Sequence, residues 1–541
     1  MDELGDFLGY ALAAAWLIVQ LAIKLASRGG ARDAAPPEHA GEAQRGAPPE
    51  EAAPAAEIAP RSRAPRAVVP FGAARAPDEV RQRAALLRLG ELDRSAAALG
   101  ESVRHERPNR RFADALTRYV PEEIARARLA AAAGAPARVV EAAADDIELV
   151  LGEIAVLARQ RRDPSLLAEL GDADALADAC YAPVIAFARA EGLPLRSGFP
   201  ATQLTPFELA IWTGFIPTSI APIFLPTDFF ATPLRWPALA HEIGHDVLAS
   251  IDGLEPALRR ELGLPDAGAR ARSPALDDHG IASAELRRVF GAWFEEIFCD
   301  VFGTLMFGPA YVITMSELFF QEGEPYASLA VHSDVTGARY DEHPPPHLRV
   351  LIGCMVLERA GLGESARALR EAWARRHAEV GLDHLIWPVR GAWIPVPLRP
   401  CAEMAASIVE RLYAGPLLAL SGFGLQDISG LDYGPHEHQE ALRARDALLA
   451  GRVPAVRDAR ALLAGAVLAA HRAPEQALAI LTRARAAIPA LGTGERRPDA
   501  YAPARGASGV ALDRRAVTEA LLFREILLPP RALRGRRRAR L

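Results

Sequence analysis

Pro237 to Ser250 reads PALAHEIGHDVLAS. A proline suits the first turn of a helix, where its missing N–H costs little. The run behind it predicts a helix carrying His241 and His245 four residues apart, one turn above each other on the same face. Two imidazoles so placed can converge on one Zn²⁺ at about 2.0–2.1 Å. A glutamate beside the first of them, here Glu242, can take the proton of a metal-bound water. Ordinary helices also carry histidines at this spacing, facing solvent or core. The reading therefore depends on the segments around the motif.

A catalytic zinc needs a third protein ligand and an open position. Farther along, Glu295-Glu296-Ile297-Phe298-Cys299-Asp300 lies inside the strongly apolar run Val289–Phe307. Carboxylates in such a run are costly to bury unless paired or metal-bound. Glu296 and Asp300 share a helix face, which makes Glu296 the expected third ligand. Asp300 is expected to accept a hydrogen bond from a ligating histidine and fix its tautomer. Glu295 is expected to point away, as a solvated or helix-pairing charge, and is the runner-up ligand.

A third segment runs Asp341-Glu342-His343-Pro344-Pro345-Pro346-His347-Leu348-Arg349. Prolines stiffen the backbone and can hold His343 and Arg349 in place. Such groups near a metal stabilise the oxyanion of a tetrahedral intermediate. Taken alone, the segment also reads as a rigid turn before a helix over Leu348–Ala360.

Together the three segments resemble the gluzincin metallopeptidases, and more narrowly the CAAX-prenyl-protease and heat-shock membrane-protease group. The pattern there is HExxH, then ExxxD (usually ExxAD), then HPPxxxR. It falls here on His241–His245, on Glu296–Asp300 with Cys299 in the alanine place, and on His343–Arg349. The resemblance covers roughly residues 200–390. The second helix is also similar to that of the repressor-cleaving, antitoxin-type metallopeptidases, with Glu296, Cys299, Phe302, Gly303 and Pro309 in register. The resemblance implies zinc on His241, His245 and Glu296, Glu242 as general base, and His343 and Arg349 as further catalytic groups. It implies a protein or peptide substrate lying extended along an edge strand, expected near Ala221–Phe230, a short buried strand closed by prolines.

Outside this stretch the chain of 541 residues is too long for one ordinary core. Half its residues are hydrophobic, which excludes disorder throughout, and a net charge of −6 argues against a dedicated nucleic-acid binder. Four cysteines without CxxC spacing argue against a disulfide framework. Lys24 is the only lysine among 62 basic residues. That bias looks like the codon usage of a GC-rich genome and devalues arginine runs as partner signals.

Phe7–Ile23 carries no charge, has an acidic flank before it and Lys24 and Arg28 after it. It reads as a single-pass membrane anchor over residues 1–28, with the main domain on the cytoplasmic side. Residues 29–78 form a Pro/Ala-rich tether, expected to be disordered. Residues 79–197 read as helical, with segments Glu79–Leu99, Pro108–Ala133 and Arg138–Arg161 and breaks at Gly100, Gly134 and Asp163-Pro164. Residues 198–395 carry the metallopeptidase-like domain. Residues 396–541 return to helices, the last pair spaced like one tetratricopeptide-type hairpin, and end in an arginine-rich tail. His436-Glu437-His438 is placed in a loop, and His279, His332 and His384 are read as ordinary.

The expected fold is mostly α with a small mixed α/β, zincin-like catalytic domain. The expected function is a membrane-tethered zinc endopeptidase. A non-catalytic scaffold retaining a metallopeptidase fold, and a zinc site that only braces the fold, are the rivals.

Overall fold

A computed structural model describes residues 77–491, apart from 197, 206–208, 212–219, 266–275, 278–279, 321–323, 333–339, 390–391 and 457. The anchor Phe7–Ile23, the tether to residue 76, His279 and the C-terminal tail lie outside the described residues. Among the described residues no helix is long and apolar enough to cross a membrane. Helices make up 72% and strands 9%, so the fold is mostly α with a small sheet.

The first helix, α1 (Pro77–Arg104), opens with Asp78 and Glu79, whose charges favour a helix N-terminus. It runs through Gly100, where a break was expected. A Cβ there would lie 3.0 Å from Thr117 Cγ2 and 3.4 Å from Leu116 Cβ, so the glycine permits close packing. The expected helix Pro108–Ala133 is broken up. A 3₁₀ turn at Arg110–Phe112 and a π-helical stretch at Ala115–Tyr119 precede α2 (Val120–Ala132). Pro121 sits in the first turn of α2, where a missing donor is tolerated. Then α3 (Ala137–Gln160) buries Val140, Ala144, Ile147, Leu151, Ile154 and Ala158, one stripe at helical spacing. These side chains join Leu89, Phe112, Leu116 and Ile124 in a core of their own.

Asp163 caps α4 (Pro164–Ala190), its Oδ1 accepting from the Ser165 N–H at 2.9 Å. This helix belongs to the main core, which spans residues from Leu170 to Ile488.

Three strands follow: β1 (Phe199–Thr205), β2 (Ala210–Ile211) and β3 (Ile220–Pro226). Their order is β1-β3-β2. β3 runs parallel to β1 from Phe199↔Ile220 to Thr205↔Pro226, and β2 pairs antiparallel with Ile223 and Phe224. The strand expected over Ala221–Phe230 therefore stops at Pro226 and is central, not an edge. Beyond it the chain coils into a 3₁₀ turn that buries Phe229 and Phe230.

Next come α5 (Ala238–Ser250), α6 (Leu254–Glu261), the two-residue strands β4 (Leu276–Asp277) and β5 (Gly280–Ile281), and α7 (Ser283–Phe307). α5 is preceded by Pro237 at its N-cap and is buried on nearly every side. α7 crosses it where a Cβ on Gly244 would lie 3.0 Å from Cys299 Sγ and 3.1 Å from Cys299 Cα. Glycine is what allows the two backbones to approach so closely. Gly308, at φ +57, turns the chain into α8 (Pro309–Phe319).

The remaining elements are α9 (Pro346–Arg359), α10 (Gly363–Arg376), the antiparallel hairpin β6 (His384–Val389) and β7 (Ala392–Pro397), α11 (Leu398–Ala414), α12 (Pro435–Leu449), α13 (Ala459–Arg472) and α14 (Ala477–Leu491). His436-Glu437-His438 is not in a loop but in the first turn of α12, where Glu437 Oε2 accepts from the Gly434 N–H at 3.0 Å. Arg485 on α14 reaches Asp172 on α4 at 2.8 Å, which ties the last described helix back to the central core.

Candidate metal centre

On α5 the rings of His241 and His245 stand edge to face, centroids 4.8 Å apart. Their Nε2 atoms are 3.2 Å apart. Glu296 on α7 meets both: Oε2 lies 3.1 Å from His241 Nε2, and Oε1 lies 3.4 Å from His245 Nε2. All three side chains are buried. The two helices, far apart in the chain, thus bring two imidazoles and one carboxylate to a single point.

A layer of polar groups surrounds this point. Arg349 on α9 forks onto Asp300, Nε to Oδ2 at 2.8 Å and Nη2 to Oδ1 at 2.8 Å. Its Nη1 lies 3.1 Å from Glu296 Oε2. The Tyr311 hydroxyl on α8 donates to Asp300 Oδ1 at 2.7 Å and lies 3.1 Å from His241 Nδ1. His245 Nδ1 lies 2.9 Å from Glu295 Oε1. Glu295 and Glu296, neighbours in sequence, therefore meet opposite nitrogens of one imidazole.

His343 is the most exposed member, its side chain 28% accessible. Its Nδ1 is 2.6 Å from Asp341 Oδ1 and its Nε2 is 3.4 Å from Glu296 Oε1. Arg349 is instead buried and committed to Asp300 and Glu296, its guanidinium lying over the Phe319 ring.

Both carboxylate oxygens of Glu242 are buried and, among the described residues, make no close hydrogen bond, the Ile211 backbone N–H acting on them only weakly. Burial pushes its pKa up. Burial, the largest single influence, would do the same to Glu296 and Asp300, but the Arg349 charge together with the neighbouring imidazoles and hydrogen bonds outweighs it, and both sit below the usual carboxylate range. Burial opposes a charge on His245, yet Cys299, Glu296 and Glu295 together raise its pKa well above the ordinary value.

His241, His245 and Cys299 are buried, with donor atoms all within 4.8 Å of one another, a group able to hold a metal ion. The sequence reading missed Cys299 as a donor, Glu295 as a histidine partner and Tyr311 altogether. The pattern did single out position 299, where the resemblance has alanine. Nothing local marks Tyr311. Among the described histidines outside the cluster, His384 pairs with Asp383 and His332 lies against Trp393. His347 is buried against Trp373 and the Leu382 carbonyl.

Comparison with known proteins returns no matching family model, no matching curated protein and no matching solved structure.

Proposed function

We propose that this chain is a zinc-dependent endopeptidase of the gluzincin type, with His241, His245 and Glu296 as metal ligands and Glu242 as general base. One observation carries the reading. His241 Nε2 and His245 Nε2 are 3.2 Å apart, and Glu296 meets the first through Oε2 at 3.1 Å and the second through Oε1 at 3.4 Å. A tetrahedral zinc with bonds of about 2.0–2.1 Å sets its ligand atoms about 3.3 Å apart. The donor set also fits chemically, being two imidazoles and a carboxylate kept ionised. When bound, zinc would polarise a peptide carbonyl and lower the pKa of a water.

The chain's own groups then have distinct tasks. Glu242, next to His241 and without a close hydrogen bond among the described residues, takes the water proton at its carboxylate and returns it to the leaving amine. Its raised pKa suits both transfers. His343, the exposed member, faces the developing oxyanion. Arg349 holds Glu296 and Asp300 in place. An extended substrate would pair at a sheet edge. With β3 central, the edge that contacts α5 is β2. Tethering through Phe7–Ile23, with the main domain in the cytoplasm, belongs to the same proposal.

The test uses the full chain and an unfolded, dye-labelled casein. Wild type is expected to carry near-stoichiometric zinc and to cleave. Glu242→Gln is expected to keep the zinc and lose cleavage, and His245→Ala to lose both. Unchanged cleavage in Glu242→Gln refutes the mechanism.

A second reading is favoured by Cys299. With its thiol among the donors, the site is a closed one that braces the fold. It is expected to unfold on chelation and to show no activity in any variant.

A further inference from the structure

We propose that Tyr311 is a positioning residue that fixes the tautomer of His241 and so presents its Nε2 lone pair to the metal; this rests on the reading of His241 as a ligand. The argument is an accounting of donors and acceptors. Arg349 forks onto both oxygens of Asp300, each at 2.8 Å, the two-pronged geometry of a guanidinium paired with an ionised carboxylate. Asp300 can then only accept. The Tyr311 hydroxyl, 2.7 Å from Asp300 Oδ1, must spend its single hydrogen there. Toward His241 it has only lone pairs left. His241 Nδ1, 3.1 Å from that hydroxyl oxygen, must supply the hydrogen of the second bond. A neutral imidazole protonated at Nδ1 has its lone pair at Nε2, the atom that meets Glu296 and His245.

The other neighbours agree. Arg349 Nη2 is 3.4 Å from Nδ1 and 3.4 Å from Nε2 of His241, an equidistant placement that lies along neither lone pair. The direct separation of His241 Nδ1 from Asp300 Oδ1 is 3.4 Å, longer than either leg through the phenol. Asp300 therefore acts on the histidine through Tyr311. His245 needs no such relay, because Glu295 reaches its Nδ1 directly at 2.9 Å. The phenol is held in place by packing. Its ring lies so close to Gly303 on α7 that any Cβ there would overlap it. The two imidazoles are thus oriented by different devices, one carboxylate direct and one carboxylate through a tyrosine.

The test is zinc affinity of the full chain, titrated against a competing chelator at neutral pH. Tyr311→Phe keeps the ring and removes only the relay, and is expected to weaken zinc binding about 10- to 100-fold, the range for loss of such an outer partner. Tyr340→Phe is the control. Its hydroxyl bonds Glu285 Oε1 at 2.7 Å, a buried tyrosine–carboxylate bond that touches neither histidine. Its zinc affinity is expected to match wild type. A second readout separates positioning from folding. The zinc-free unfolding midpoint is expected to fall no further in Tyr311→Phe than in Tyr340→Phe, while the rise on adding zinc shrinks only in Tyr311→Phe. Equal zinc affinity in Tyr311→Phe and wild type overturns the inference but leaves the metal site standing. An equal loss in both variants also overturns it. A wild type that binds no zinc overturns the ligand reading and this inference with it.

Discussion

His347 should make the protein acid-sensitive by a calculable amount. Its Nε2–H donates to the Leu382 carbonyl at 3.1 Å, and its Nδ1 accepts from the Trp373 indole N–H at 3.1 Å. The neutral ring is fully satisfied. A second proton on Nδ1 would face the indole N–H, donor against donor. Burial pushes the pKa down to about 4. An unfolded histidine titrates near 6.5, and each unit of difference is worth about 1.4 kcal/mol. The sign follows from linkage. The folded pKa lies below the unfolded one, so the unfolded chain takes up the proton first. The contribution is complete above about pH 6.5 and is lost as pH falls toward about 4, in total about 3 kcal/mol. Between pH 7.5 and pH 5 the loss is about 2 kcal/mol.

The assay is urea unfolding of the full chain at those two pH values, for wild type and for His347→Gln. The glutamine amide can donate to Leu382 and accept from Trp373 but cannot titrate. Its acid loss is expected to be smaller than that of wild type by about 2 kcal/mol. Identical acid losses in the two proteins would show that His347 is not held neutral, and the reasoning would fail.

Other outcomes follow from the same structure. Arg349→Met removes the cation between Asp300 and Glu296 and is expected to destabilise the zinc-free protein by about 3–5 kcal/mol, measured by urea unfolding, because two buried carboxylates lose their partner. Asp174→Asn strikes a separate network. Asp174 accepts from Arg161 and from the Thr202 N–H, each at 2.8 Å, and also pairs with Arg111, joining α3, α4 and β1. A loss of about 3 kcal/mol is expected, read from the same denaturation curves. Gly303→Ala would push Tyr311 aside, so zinc affinity and stability should fall together, seen by chelator competition and thermal unfolding. Zinc at about a hundred times its dissociation constant should stabilise wild type by about 2.7 kcal/mol, a gain that chelation abolishes and His245→Ala never shows.

Much of the architecture is local and therefore legible. Asp163-Pro164 starts α4, Pro237 introduces α5, and the apolar stripe of α3 repeats at helical spacing. Other punctuation misleads for a physical reason. Gly100 reads as a helix stop, but α1 continues four residues past it, and the glycine serves instead to let Leu116 and Thr117 pack closely, which only a distant segment reveals. The same holds for β3, which the resemblance implies should lie at a sheet edge. Its place in the middle of the sheet depends on β1 and β2 pairing to either side.

From sequence alone it follows that His241 and His245 share one helix face with Glu242 beside them, and that Glu296 and Asp300 share another, because 3.6 residues make a turn whatever lies around it. That those faces meet is a matter of packing. α7 crosses α5 at the contact of Gly244 with Cys299, and only this crossing puts Glu296 at 3.1 and 3.4 Å from the two imidazoles. The fold likewise turns Glu295 to His245, commits Arg349 to two carboxylates and inserts Tyr311 between Asp300 and His241. Side-chain partners across such distances are set by which surfaces exclude water together, and no periodicity within a single segment encodes that choice.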